Sequence, residues 1–242
     1  MQSVGKYVLF ISSMFRNMES WRVYPSRVLD EMVLIGINSV FLVAIVSSFI
    51  GAVTAVQTAY NLVSPLIPLY IIGTVVRDMT ILELAPTITC VVLAGKVGSN
   101  IAGELGTMRI TEQIDALEVM GINSSSYLVL PKVIAALIMF PMLVILSGFL
   151  SLFGGYLAGT LTGLLTEKDY VYGIRYEFQP YNVFFALIKA FVFAYLISSI
   201  AAYKGYFTRG GALEVGKAST NAVTNSCIAV LLADYLLAQL LI

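Results

Sequence analysis

Five apolar runs constrain this chain more than anything else in it: Met32 to Tyr60, Leu69 to about Ala102, Val133 to Leu164, Val183 to Tyr203 and Thr220 to Ile242. A helix rises about 1.5 Å per residue, so about 20 apolar residues cross a hydrocarbon core of about 30 Å. All five runs qualify. Lipid offers no water to a bare peptide group, so each run must close its own hydrogen bonds as a helix. The expected fold class is therefore all-α, a polytopic membrane protein forming a single domain over 1–242 with spans at 32–60, 69–102, 133–164, 183–203 and 220–242. Hydrophobic residues make up 59% of the chain and charged ones 12%, far from a soluble composition. The first three runs exceed the minimum, so they must tilt, kink or project beyond the bilayer. Pro86 and Pro141 are the expected kinks, and "NLVSPLIPLY", with Pro65 and Pro68, is a break between the first two spans.

Net charge is zero, with 14 basic and 14 acidic residues, so no bulk field points to nucleic acid. Their positions are more informative. Lys6, Arg16, Arg22, Arg27, Lys96, Arg109, Lys132, Lys204, Arg209 and Lys217 fall on one side of the five-span scheme. Arg77, Lys168 and Arg175 fall on the other, and Lys189 lies inside the fourth span. The positive-inside bias puts the first group in the cytoplasm, with the N-terminus and the 103–132 and 203–219 loops, and leaves the C-terminus outside.

The first 30 residues carry Arg16, Glu19, Arg22 and Arg27 and do not read as a cleaved secretory signal. Tyr7, Ile11, Met14, Met18 and Trp21 share one helical face. That predicts an amphipathic helix in the headgroup layer, or packed on a protein surface, ended by Pro25. Histidine is absent, and Cys90 and Cys227 both sit in apolar runs. No metal site, disulfide framework or resident cofactor is expected, and hydrolase chemistry loses its commonest base.

Charges cluster in one short stretch, "GELGTMRITEQIDALEVMGI", Gly103 to Ile122, between spans two and three. Ile110, Ile114 and Leu117 follow helical spacing beside a stripe of Glu112, Asp115 and Glu118. Thr111 is the expected N-cap and Gly121 the expected stop, giving a helix of about two and a half turns within 107–121. So short a helix is marginal by itself in water and needs its flanking spans or a partner to hold it. It reads as a solvated loop, or as a lever gripped by a cytoplasmic motor.

"LELAPTITCVVLAGKVGSNIAGELGTMRITEQIDALEVMGI", Leu82 to Ile122, resembles the signature of the MlaE-type permeases. These are the membrane subunits of ABC transporters that work with MCE proteins in lipid traffic. Their pattern runs close to R-E-L-G-P, then A-G-R-x-G-S-A, then A-E-L-G-x-M-R-x-T-E-Q-x-x-A-L-x-x-M. "ALIKAFVFA" and the final "ADYLLAQL" are collinear with it. The resemblance implies a non-catalytic homodimeric permease that moves phospholipid between the bacterial inner membrane and a periplasmic MCE-domain protein. ATP would be hydrolysed by a separate ABC ATPase, with a small regulatory protein as a possible further subunit. It assigns Arg109, Glu112, Gln113, Asp115 and Glu118 to ATPase coupling, and Glu83, Leu84 and Lys189 to lipid binding. Two departures matter. Leu82 stands where the family has Arg, and Asn221 where an Arg is expected early in span five; Arg77 is the candidate to compensate.

A charge at the bilayer centre costs about 2.5–3.5 kcal/mol on insertion scales, which makes Glu83, Lys189 and Asp234 functional candidates whatever the family. They either neutralise one another structurally, line a lipid cavity, or act as the relay of an ion-coupled transporter or stand-alone channel. "GGALEVGKAS" mimics a phosphate-binding loop through Gly211, Gly216 and Lys217. It carries Ala218 where a hydroxyl must bind magnesium and joins two spans rather than a strand and a helix, so it reads as a cytoplasmic turn. Gly95, Gly98, Ala102 and Gly106, and Gly148, Gly155 and Gly159, allow close helix packing within or between subunits. The outer loop Thr166 to Pro180 is a candidate contact for the MCE partner.

Overall fold

The computed structural model describes residues 2–15, 24–62 and 68–241, all helix and turn, with no strand among them. Helix α1 is Gln2–Phe15. Five long apolar helices follow: α2 Tyr24–Asn61, α3 Tyr70–Ile110, then α5 Ser124–Leu161, α7 Pro180–Tyr206 and α8 Ala212–Leu241. Two short helices join them, α4 Gln113–Val119 and α6 Glu167–Arg175. Five spans agree with the five apolar runs. Arg16, Met18, Glu19, Trp21 and Arg22 of the N-terminal face, and Pro65 of the first linker, lie outside the described residues.

The helices outrun the apolar segments because local polar chemistry extends them. Pro25 opens α2 rather than merely ending α1, since a proline in a first turn lacks only an N–H that would be unbonded there. Helix α5 begins nine residues before Val133, where the Asn123 side chain caps it by accepting from Ser126 N–H. The loop expected on the outer side, Thr166 to Pro180, is largely a helix itself. Thr166 Oγ1 accepts from Asp169 N–H at 3.2 Å, acidic Glu167 and Asp169 fill the first turn of α6, and Arg175 fills the last.

Pro141 lies within an unbroken α5. Pro86, in contrast, sits in a nine-residue π-helical segment, Thr80–Ile88, and shorter π turns occur at Val33–Ile37 in α2 and Ala94–Gly98 in α3. Such turns widen the helix locally and concentrate at functional sites.

Helices α2 and α5 pack closest. A Cβ at Gly51 would strike the Ser151 carbonyl, and one at Gly154 the Ser48 carbonyl, so each helix offers a glycine to the other's backbone. Hydroxyls reinforce the contact: Ser47 Oγ donates to Ser147 Oγ at 2.8 Å, and Thr89 of α3 meets the same Ser147 at 2.7 Å. Helix α7 is central, burying Ala190, Phe193, Ala194 and Ile197 completely. Gly98 and Ala102 of α3 face it, opposite Ile197 and Gly205, and Gly106 meets Val215 of α8. Gly98, Ala102 and Gly106 of the span-two stripe are thus used inside the chain, while a Cβ at Gly95 would meet nothing within 4 Å. Helix α8 buries only Ala222, Ser226 and Val230, one stripe at every fourth residue.

The bundle has two distinct ends. At one, α1 lays Phe10 against Tyr203, Tyr206 and Phe207, beside α4, while Val8 and Leu9 face outward. At the other, Gly73 of α3 and Gly173 of α6 meet backbone to backbone, and Tyr70 packs on Tyr172. Tyr170, fully buried, donates to Leu152 O at 3.0 Å, and burial pushes its phenol well above the usual tyrosine range. It pins α6 as an uncharged anchor.

Candidate functional site

Lys189 organises the charge buried in the spans. Its side chain is wholly inaccessible, and its Nζ donates to Glu83 Oε1 at 2.8 Å and to the Leu82 carbonyl at 3.1 Å. Asp234 Oδ1 of α8 stands 2.7 Å from the same nitrogen, within ion-pair range but at an angle that makes no directed hydrogen bond. The acceptor at Leu82 follows from Pro86. In an α-helix the Leu82 carbonyl would take the N–H four residues on, and Pro86 has none to give. The Phe185 ring lies 4.7 Å from the ammonium and adds a further favourable face. One cation is shared by two carboxylates, and of these Glu83 remains half-exposed while Asp234 is mostly covered. The cluster therefore presents a carboxylate outward and keeps its lysine inside. Leu84 is adjacent and partly buried.

The other lipid-binding candidates stand elsewhere. Arg77 is 3% exposed and spends its guanidinium on Asp78 at 2.8 Å and on the carbonyls of Ile174 and Tyr176, at 3.0 and 2.6 Å. It clamps the end of α6 to α3, and it lines a cavity of about 470 Å³ together with Leu82 and Phe185. Asn221 is exposed near the start of α8, 13 residues and so about 20 Å along the helix from Asp234.

At the opposite end, Ile110 closes α3, so 107–110 continues the span and the separate helix is Gln113–Val119 alone, about two turns. Thr111 is not its N-cap: its hydroxyl bonds back to Thr107 O at 2.8 Å, finishing α3. The corner is turned by Glu112, in the left-handed region at φ 60°. Gly121 does stop the helix. At φ 79° it donates to Glu118 O, and Ile122 donates to Leu117 O, a Schellman closure. Arg109 Nη1 bonds Asp115 Oδ1 at 2.6 Å across the corner, Ile114 is fully buried, and Glu118 Oε1 accepts from Ser124 at 2.9 Å and Tyr206 at 3.0 Å. The helix is fixed on one face. Glu112, Gln113, Ala116, Val119 and Met120 lie open on the other, beside a cavity of about 740 Å³.

A family model described as Permease MlaE matches residues 28–240. The chain belongs to the MlaE permease family. Similar proteins include a probable ABC transporter permease protein of Rickettsia bellii, 38% identical over 239 residues, 99% of this chain and 92% of that one. One from Synechocystis is 34% identical over 220 residues, 91% and 83% of the two chains. The chloroplastic protein Trigalactosyldiacylglycerol 1 of Arabidopsis thaliana is 36% identical over 166 residues, 65% of this chain and 45% of that one. The permease is thus a multi-pass membrane subunit of transporter type.

A second buried lysine of the permease escapes a reading of the sequence. Lys132, placed by charge count among solvated cytoplasmic residues, is 2% exposed and joins Glu31 of α2 at 2.5 Å to Glu104 of α3 at 2.7 Å. It locks three spans together at the root of α4. The sequence signal is that Glu104 opens the charged stretch and Lys132 follows it, each continuous with an apolar run. Gly216 and Lys217 lie inside helix α8, with Lys217 on Glu214 at 2.6 Å, so the stretch expected to be a cytoplasmic turn is helical from Ala212 onward, its spacing carried on through an apolar helix.

Proposed function

We propose that the permease works as a homodimer in a bacterial inner membrane, moving phospholipid between that membrane and a periplasmic MCE-domain protein, with ATP hydrolysed by a separate ABC ATPase chain. The α4 end faces the cytoplasm and the α6 end the periplasm, and no cofactor belongs to this chain. The observation that carries the reading is the build of α4. One face is anchored by Ile114, Glu118 and the Arg109–Asp115 bridge, while the other is left open with Glu112 and Gln113 at its head. Holding a non-glycine residue at φ 60° costs roughly 1–2 kcal/mol, which a side chain needed by a partner explains.

ATP binding closes the motor subunits and displaces α4 as a rigid piece. Its short joints pass the displacement to α3 and α5, and the dimer cavity beside Glu83 and Lys189 changes shape. There Lys189, held by Asp234, turns to the headgroup phosphate as Glu83 swings aside, and Leu84 and the apolar helix faces meet the acyl chains. Charged α6 is the surface offered to the MCE partner.

The contact of Glu83, Lys189 and Asp234 also fits an ion-coupled transporter using the three as a relay. Purification from native membranes separates the two. The ABC reading expects an ATPase chain to co-purify and to be lost from the Glu112→Lys, Asp115→Lys double variant. Recovery without an ATPase, together with undiminished function of that variant, supports the relay.

A further inference from the structure

A groove of about 830 Å³ lies between α2 and α3 in the half of the bundle nearer α4, away from the Lys189 cluster. The Val33–Ile37 π turn forms part of one wall and the Ala94–Gly98 π turn part of the other. Along α3, Lys96, Asn100, Glu104 and Thr107 face it at spacings of four, four and three, a single polar stripe. This stripe runs about 17 Å from the α4 end toward the bilayer interior. Opposite it stand apolar Leu34 and Ile35, with Asn38 at the depth of Lys96.

Lys96 is the unusual member. The two fully buried lysines, Lys132 and Lys189, each meet two carboxylates. Lys96 has no ion pair among the described residues, and its ammonium donates across the groove to the Asn38 carbonyl. The carboxylate in the groove, Glu104, is turned to Lys132. Asn38 lies six residues inside the apolar run that begins at Met32, about 9 Å in depth. A cation kept there without a counter-charge is expensive, and an anion entering the groove would offset it.

We infer that this groove is a second lipid station: a phospholipid from the leaflet at the α4 end brings its phosphate down the polar stripe to Lys96, with its acyl chains along the Leu34 wall. The station adds to the proposed transport an entry or exit point at the α4 end. It is tested by binding alone, so its failure is separable from failure of the ATPase or MCE assignments.

The test uses the purified full-length permease in detergent. It is incubated with phosphatidylglycerol or with diacylglycerol of the same chains, each carrying a photoreactive group in the tail, and the labelled peptides are mapped by mass. Phosphatidylglycerol is expected to label 33–38 about tenfold more than diacylglycerol, the least that one charge-assisted hydrogen bond implies. Lys96→Met should abolish the preference and Lys96→Arg keep it, while labelling near Gly148 stays unchanged in both. Equal labelling by the two lipids, or a preference that survives Lys96→Met, overturns the inference. So does displacement by inorganic phosphate at the lipid's own concentration, which marks a free-anion site. Rapid copy-to-copy disulfide formation by Asn100→Cys in a Cys227→Ser background also overturns it, because the groove is then covered by a second subunit. If Lys96→Met does not assemble, the comparison of the two lipids on the unaltered chain decides.

Discussion

Lys189 is held in an apolar helix by groups of α3 and α8: the Leu82 carbonyl and the Glu83 carboxylate accept its hydrogen bonds, and the Asp234 carboxylate stands within ion-pair range. Removing the ammonium strands two carboxylates, and Asp234 bears most of the penalty because Glu83 reaches solvent on one side. Lys189→Met is expected to destabilise the permease by about 3 kcal/mol, read as a lowered melting point in detergent. The triple variant Lys189→Met, Glu83→Gln, Asp234→Asn should regain most of that loss, and no recovery would show that the cluster is not a charge balance. Arg77 serves a different contact, the one between α3 and α6. Arg77→Ala should speed amide exchange over 167–176, where it holds the Ile174 and Tyr176 carbonyls, without changing lipid labelling around Glu83. The charges themselves were visible in the sequence, as rare ionisable residues in apolar runs. Their partners were not. Glu83 and Lys189 are 106 positions apart, and whether they meet depends on how two helices are rotated about their axes. Lys132 shows the same limit, since counting basic residues by loop assigned it to solvent when it is buried against Glu31 and Glu104.

Elements were legible wherever one local force dominated. Apolar length gave the five spans, and Gly121 ended α4 because the Schellman turn requires a left-handed residue. Helix ends beyond the hydrocarbon were misplaced, since hydropathy is silent once a helix leaves the lipid; α5 runs out to Asn123 and α3 to Ile110. The α6 helix was hidden for the same reason, although Thr166 and its acidic first turn announce a start. Pro86 was rightly suspected, but the outcome is a π segment that turns Glu83 toward Lys189. Restoring the missing N–H with Pro86→Ala should let the α pattern resume and disturb that alignment. A Glu83→Cys probe should then change its rate of thiol labelling several-fold, and an unchanged rate would free Pro86 from this role. Between α2 and α5 the contact is backbone on backbone. Gly154→Leu should destabilise by about 1–3 kcal/mol, measured by thermal unfolding, because overpacking here can only push the helices apart.

For the molecule as a whole, the two ends and the charge clusters form a connected path. Helix α4 is keyed to the bundle by Ile114 and by Glu118, its neighbours α3 and α5 are locked to α2 through Lys132, and α3 carries Glu83 to the buried Lys189. The central claim is that α4 works only as a rigid piece, so its buried face matters to transport while its open face matters to docking. Ile114→Asp separates the two by spoiling the anchor and sparing Glu112, Gln113 and Met120. The deciding measurement is the amount of phospholipid moved per ATP hydrolysed by the complex reconstituted in vesicles. The account expects Ile114→Asp to keep the ATPase bound and hydrolysing while that ratio falls at least about tenfold; a ratio equal to that of the unaltered permease would contradict it.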